Sequence, residues 1–265
     1  MNMTGRMTKF AAVLCLVPAL FAHADEDAIA GREILKNNMA AVVTVQMVVK
    51  MSFSAAGGNT NEQESKEEAT GTIIRPDGLT VLALSSTDPS SISKTLMGGG
   101  DSNFKMDTQV SDIKLLLHDN TEIPAEVVIR DVELDLAFIR PLTKPAAPLA
   151  FVDMEANQAT VELLDRVVTL NRLGRVANRV FSASFEYIDA VVEKPRTYYI
   201  PGNDPTSTSQ GSPVFRLDGK VVGLFVLRAI SSDAGAGGRR NNVMPIVLPA
   251  RDIAESLGQI PAQAE

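Results

Sequence analysis

TSQGSPVFRLDGKVVGL, residues 208–224, reads as a tight turn of small residues feeding one short strand at 213–216 and a second at 220–227. The turn places a glutamine, Gln210, between Ser209 and Gly211, and Ser212 follows before Pro213. Upstream, the same rhythm of short strands and small turns repeats. Val43, Val45, Met47, Val49 and Met51 alternate with Thr44, Gln46 and Lys50, the two-residue period of a half-buried strand. Further strands are expected at 71–74, 79–84, 112–117, 122–130, 135–140, 166–171, 178–192, 196–200 and 242–247. Asp119 and Asn120 offer a hairpin turn between two of them.

Helix is expected only at the two ends. Residues 25–37 form an amphipathic opening helix, and residues 249–257 carry proline near the first turn and Gly258 as a stop. Many short strands with terminal helices predict an all-β barrel or sandwich and argue against an alternating α/β chain. Three polar or glycine-rich tracts, 57–68, 97–107 and 231–242, read as long surface loops. TKPAAP at 143–148 reads as a linker and sets a divide between two halves near 144–149.

The first 24 residues have the make-up of a secretory signal peptide: Arg6 and Lys9, an apolar run from Phe10 to Ala22, then Ala22, His23 and Ala24 as a small-x-small cleavage site. The run is shorter than the roughly 20 apolar residues of a membrane helix, and no later stretch approaches that length. Export to the periplasm or the cell exterior, with no integral membrane segment after cleavage, is therefore expected. Cys15, the only cysteine, lies inside the leader, so the mature chain is expected to form no disulfide. Without the leader, 23 basic residues face 32 acidic ones, about −9, which argues against nucleic acid as a partner.

Four segments in order resemble the trypsin-like serine proteases, most closely those of the HtrA (Deg) type. ATGTIIRPDGLTVLALSST at 69–87 is similar to the stretch ending in that family's catalytic histidine, and LDLAFIR at 134–140 to the one bearing its aspartate. VVTLNRLG at 167–174 resembles the opening of the second barrel, and 208–224 the nucleophile loop with its following strand. The resemblance implies a chymotrypsin-like double β-barrel over residues 25–265; the HtrA type usually continues into a PDZ domain, and in a departure from that pattern none is expected after the closing helix here.

Carried over residue by residue, the family's histidine falls on Ser85, its aspartate on Asp135 and its serine on Gln210. The oxyanion loop falls on Thr208, Ser209, Gly211 and Ser212, with glycine retained only at Gly211. A serine hydroxyl is no base near neutral pH, and a glutamine amide is no useful nucleophile, so acyl transfer has lost two of its three parts. Asp135 is expected to hydrogen-bond Ser85 or nearby amides. His118 is the only histidine beyond the leader and is expected to be exposed beside the hairpin turn.

These readings predict an inactive protease homologue that binds a peptide or protein partner through the former substrate cleft, along Val226, Leu227 and Arg228. The competing readings are a divergent serine endopeptidase with a relocated nucleophile, and a regulatory subunit of an active HtrA-like protease. No cofactor is expected. No metal site is expected either, since one histidine and no mature cysteine leave no ligand cluster.

Overall fold

The structure is a computed structural model that describes residues 22–55, 61–88, 90, 104–202, 209–229 and 243–261. Twelve strands among these residues close into two six-stranded antiparallel barrels, the all-β double barrel expected from the sequence. The first barrel comprises β1 (Val42–Ala55), β2 (Asn61–Ile73), β3 (Thr80–Ala83), β4 (Phe104–Leu116), β5 (Glu122–Asp131) and β6 (Leu136–Pro141). They close in the order β1-β2-β3-β6-β5-β4. The second comprises β7 (Arg166–Arg172), β8 (Phe181–Val192), β9 (Tyr198–Pro201), β10 (Pro213–Arg216), β11 (Val221–Ala229) and β12 (Val243–Pro249), in the order β10-β11-β12-β9-β8-β7.

The alternation read in the sequence sets the inward faces. Val43, Val45, Met47 and Val49 of β1 are buried, while the alternating Gln46 and Lys50 keep contact with solvent; Thr44, expected to alternate with the apolar set as they do, is buried. β6 reads as a continuous apolar run, and Leu136, Ala137, Phe138 and Ile139 have no exposed surface. Each large side chain buried so completely contributes about 1.5–3 kcal/mol. One apolar cluster runs from β1, β3 and β6 into Val168, Leu170, Phe215, Leu224 and Val226 of the second barrel. The barrels therefore share a core, and what lies between them is held on both sides.

Helices flank the barrels. The first, α1 (Ala22–Asn38), begins earlier than the expected residue 25 and packs on β7 and β8, where Arg166 pairs with Asp27 and stacks 4.4 Å from the Phe185 ring centroid. The closing helix, α2 (Ala250–Leu257), starts directly after Pro249 and buries Ile253 and Leu257. Among the described residues no helix is long and apolar enough to cross a membrane.

Two expected loops are corrected in part, residues 57–60 and 97–103 lying outside the described residues. Residues 61–68 belong to β2, paired with β1 from Val42 opposite Thr72 out to Phe53 opposite Asn61. Their polarity reflects an exposed ribbon, and charged pairs such as Lys50 with Glu62 at 2.7 Å fit that surface. Likewise residues 104–107 lie in β4. The expected strand at 178–192 begins only at Phe181, because Asn178 and Arg179 take left-handed backbone in the preceding turn. The tract 231–242 lies outside the described residues. Between β6 and β7 the chain runs from residue 142 to 165, including the stretch read as a linker.

Candidate functional site

Three short segments meet where the barrels face each other. After β3 the chain makes a 3-10 turn, Leu84–Ser86, which buries Ser85 to 8% exposure. Before β6 a turn capped by the Asp131 carboxylate on the Leu134 amide delivers Asp135, whose backbone is left-handed at φ +56°. That conformation is uncommon for a residue with a Cβ. Here the Asp135 carbonyl accepts the Leu84 amide at 2.9 Å, which ties the turn to the one bearing Ser85. The third segment, the loop leading into β10, brings Gln210 from the second barrel.

The three positions singled out by the resemblance thus meet at Ser85, which bonds both Asp135 and Gln210. The Ser85 amide donates to Asp135 Oδ1 at 2.7 Å, and Ser85 Oγ lies 2.8 Å from Asp135 Oδ2. Ser85 Oγ also lies 3.2 Å from Gln210 Oε1, and the neighbouring Ser86 hydroxyl donates to the same Oε1 at 3.0 Å. Asp135 receives one donor from across the divide, the Leu227 amide of β11, at 2.8 Å on Oδ2. Asp135 is 6% exposed. Burial raises its pKa to about 6, against hydrogen bonds from the Leu227 and Ser85 amides and the Ser85 hydroxyl that favour the anion.

Next to Gln210, Gly211 sits at φ +86° with its amide on the Phe225 carbonyl and its own carbonyl accepting the Thr72 hydroxyl of the first barrel. A Cβ there would lie 2.1 Å from the Thr70 carbonyl oxygen, so glycine is required by space as well as by backbone angle. Ser212 is wholly buried, and among the described residues its hydroxyl finds no hydrogen-bond partner. Ser209 is partly exposed, and its carbonyl accepts the Ser212 amide at 3.0 Å. Thr208 lies outside the described residues. His118 is exposed beside the β4–β5 hairpin turn.

The strand Val226 to Arg228 has less free edge than its sequence implies. Phe225 uses its amide on Ser212 and its carbonyl on Gly211, so strand alternation turns Val226 toward β12, where it faces Ile246. Pairing with β12 continues through Leu227, Arg228 and Ala229, opposite Pro245, Met244 and Val243. The Leu227 amide points the other way and is taken by Asp135. Arg228 lies over the Tyr198 ring at 5.1 Å.

A second contact between the barrels gave no motif to read. Glu68 of β2 accepts Arg175 at 2.9 Å and Arg179 at 2.6 Å from the β7–β8 turn, together with Gln46 at 3.0 Å. Burial opposes its ionisation, but hydrogen bonds from Arg179, Arg175 and Gln46 outweigh that and hold its pKa at about 2. Arg172, also from β7, donates to the carbonyls of Leu116 and Leu117 at 2.6 and 2.9 Å. No group of three histidine, cysteine, aspartate or glutamate residues that would hold a metal ion occurs among the described residues.

Residues 69–224 match the family model of the trypsin-like peptidase domain. Over 176 residues the chain is 26% identical to the "Probable periplasmic serine endoprotease DegP-like" of Rickettsia conorii, a match taking in 63% of this chain and 30% of that protein. The chain thus spans less than a third of that relative's length. The crystal structure of the Rv3671c protease from M. tuberculosis in its active form superposes with a TM-score of 0.56 at 17% identity, covering 99% of this chain and 96% of that one. The MamO protease domain from Magnetospirillum magneticum gives 0.49 at 16% identity over 83% of this chain and 96% of the other. The likeness to the M. tuberculosis protease is one of fold.

Proposed function

This chain belongs to the trypsin-like peptidase domain family, and from that membership we propose that it is an exported member without proteolytic activity, which binds a peptide or protein partner at the former substrate cleft. One observation carries the reading. At the positions of base and nucleophile stand Ser85 and Gln210, hydrogen-bonded into one network with the retained Asp135. A serine held against a carboxylate supplies no imidazole to take and return a proton, and the amide of Gln210 supplies no attacking oxygen at the nucleophile's place.

The neighbouring serines do not replace what is lost. Ser212 is sealed from substrate, and His118 sits on an exposed hairpin. Export is supported by the leader-like residues 1–24 and by the description of the Rickettsia relative as periplasmic. Partner binding is supported by the persistence of the two-barrel scaffold around the site. The Leu227 amide is already donated to Asp135, so a peptide strand that uses it as a donor must take it from that carboxylate.

The test is incubation of the purified chain with a fluorophosphonate probe and with labelled casein. Neither covalent labelling nor cleavage is expected. Labelling abolished by Ser209→Ala or Ser212→Ala would establish a relocated nucleophile and overturn the reading. For the partner, titration with unfolded casein peptides is expected to shift the NMR signals of Gln210 and Leu227. Shifts confined to β2 and β4 would place the binding site outside the cleft.

A further inference from the structure

The hydrogen-bond directions at Ser85 are mutually exclusive, and from this we infer that the remnant triad is a proton-coupled switch: protonation of Asp135 and reversal of the Gln210 side-chain amide occur together, relayed by the Ser85 hydroxyl. This rests on the reading above that the site has no catalytic duty and names how the same site is regulated. Ser85 Oγ has one proton and two acceptors within reach, Asp135 Oδ2 at 2.8 Å and Gln210 Oε1 at 3.2 Å.

With Asp135 neutral, each of these contacts pairs a donor with an acceptor, although the Leu227 amide then falls on the hydroxyl oxygen, the weaker acceptor of the acid. The carboxyl O–H donates to Ser85 Oγ, the Ser85 hydroxyl donates to Gln210 Oε1, and the Ser86 hydroxyl fills the second lone pair of that oxygen. With Asp135 ionised, the Ser85 proton turns to the carboxylate. Its oxygen then faces Gln210 Oε1 lone pair to lone pair, and the repulsion is relieved when the amide turns over and Nε2 donates to Ser85 Oγ. Ser86, also a hydroxyl, changes from donor to acceptor.

Each protonation state therefore selects one amide orientation, and no buried polar atom is orphaned in either. The residue types matter. Serine and glutamine are each both donor and acceptor, so the chain of bonds can reverse direction without moving the backbone.

The surroundings leave Asp135 to govern this alone. The elements packed on it bring Ser85 and Ser86 from the turn after β3, Gln210 from the loop before β10 and Leu227 from β11, none of them charged. Glu133, two residues upstream, faces Arg196 at 3.6 Å, and Arg228 lies over Tyr198. Burial places the Asp135 transition near pH 6. The consequence for a ligand is specific. Gln210 turns Nε2 away from the serines when Asp135 is neutral and Oε1 away from them when it is ionised, so what it offers a bound peptide changes from donor to acceptor as pH rises.

The experiment is NMR titration of the full chain labelled at aspartate carboxyl carbons and glutamine side-chain nitrogens. The Gln210 amide resonances are expected to shift with the same midpoint as the Asp135 carboxyl. In Ser85→Ala, Asp135 should still titrate while Gln210 no longer follows it. Gln210 signals that stay constant through the Asp135 transition overturn the inference, and so does coupling that survives Ser85→Ala. Should Ser85→Ala fail to fold, the wild-type titration decides by itself. The same sample is treated with the fluorophosphonate probe: labelling would sink the inactive-protease reading and leave the co-titration standing, whereas a constant Gln210 would do the reverse.

Discussion

The Asp135 carboxylate accepts the Leu227 amide at 2.8 Å, so an acid at the mouth of one barrel holds a strand of the other. The same carboxylate accepts the Ser85 amide at 2.7 Å. Asp135 thus joins the two barrels through one side chain.

The first prediction concerns the pH dependence of that joint. The folded-state pKa of Asp135 lies near 6, above the ordinary 3.8, so the folded chain holds this proton more tightly than the unfolded one. Its contribution is fully present below about pH 4 and is lost as pH rises through about 6. Asp135→Asn cannot titrate, and its NH2 group must face either the Ser85 or the Leu227 amide, leaving one donor unmatched at about 1–3 kcal/mol. Urea unfolding should therefore show the variant clearly weaker than wild type at pH 4, with the gap narrowing toward pH 7. A gap that widens with pH would show that Asp135 is more stable charged.

Glu68 should behave with the opposite sign. Its folded pKa of about 2 lies below the ordinary 4.5, so its contribution is complete above about pH 4.5 and disappears as pH falls through 2. Glu68 is 15% exposed at the side chain, Arg179 25% and Arg175 60%. Glu68→Gln should cost about 1–3 kcal/mol at pH 7, Arg179→Ala nearly as much, and the more exposed Arg175→Ala under about 1 kcal/mol. Denaturation midpoints at pH 7 and pH 3 check this. Equal losses for the two arginines would mean that the clamp is not built around Arg179.

What the sequence disclosed and what it hid follow from how each contact is encoded. Strand alternation is a period-two signal, so the β1 face could be read directly, and β6 showed as a continuous apolar run, whereas Ser85, Asp135 and Gln210 were singled out by the family resemblance, through Asp77-Gly78, LDLAFIR and Pro213. The span 61–68 could not, since an exposed ribbon carries the same polar composition as a loop and only its pairing with β1 separates them. Nothing local marks the Leu227 amide as a partner of Asp135 either, because the donor is main chain and is recruited from 92 residues away. The Glu68 clamp was equally silent, as one glutamate in an acidic run looks like its neighbours until the β7–β8 turn arrives.

Repair of the triad is a third prediction. Triad members act as a unit, so Ser85→His or Gln210→Ser alone should give no fluorophosphonate labelling. Together they should give slow labelling, because Asp135 already points at position 85 and Gln210 already reaches it. Labelling of the single Gln210→Ser variant at the rate of the double variant would reveal a base elsewhere in the chain.

The last prediction separates space from backbone strain at two glycines of positive φ. Gly211 at +86° and Gly219 at +82° would each place an alanine in the left-handed region, at a cost of about 1–2 kcal/mol. Their surroundings differ. A Cβ on Gly219 would meet nothing within 4 Å, so Gly219→Ala should cost no more than that conformational strain. A Cβ on Gly211 would lie 2.1 Å from the Thr70 carbonyl oxygen and 3.4 Å from the Leu82 Cα, both main chain of the first barrel. The loop cannot retreat easily, since Gly211 is tied to Phe225 at 2.8 Å and to the Thr72 hydroxyl at 2.9 Å. Gly211→Ala must then push the barrels apart at the line where Gln210 meets Ser85, and its loss should exceed that of Gly219→Ala by about 2 kcal/mol or more. Urea midpoints of the two variants measure the difference. Equal losses would mean that the loop before β10 is not wedged between the barrels, and the contact between Gln210 and Ser85 would lose its steric support.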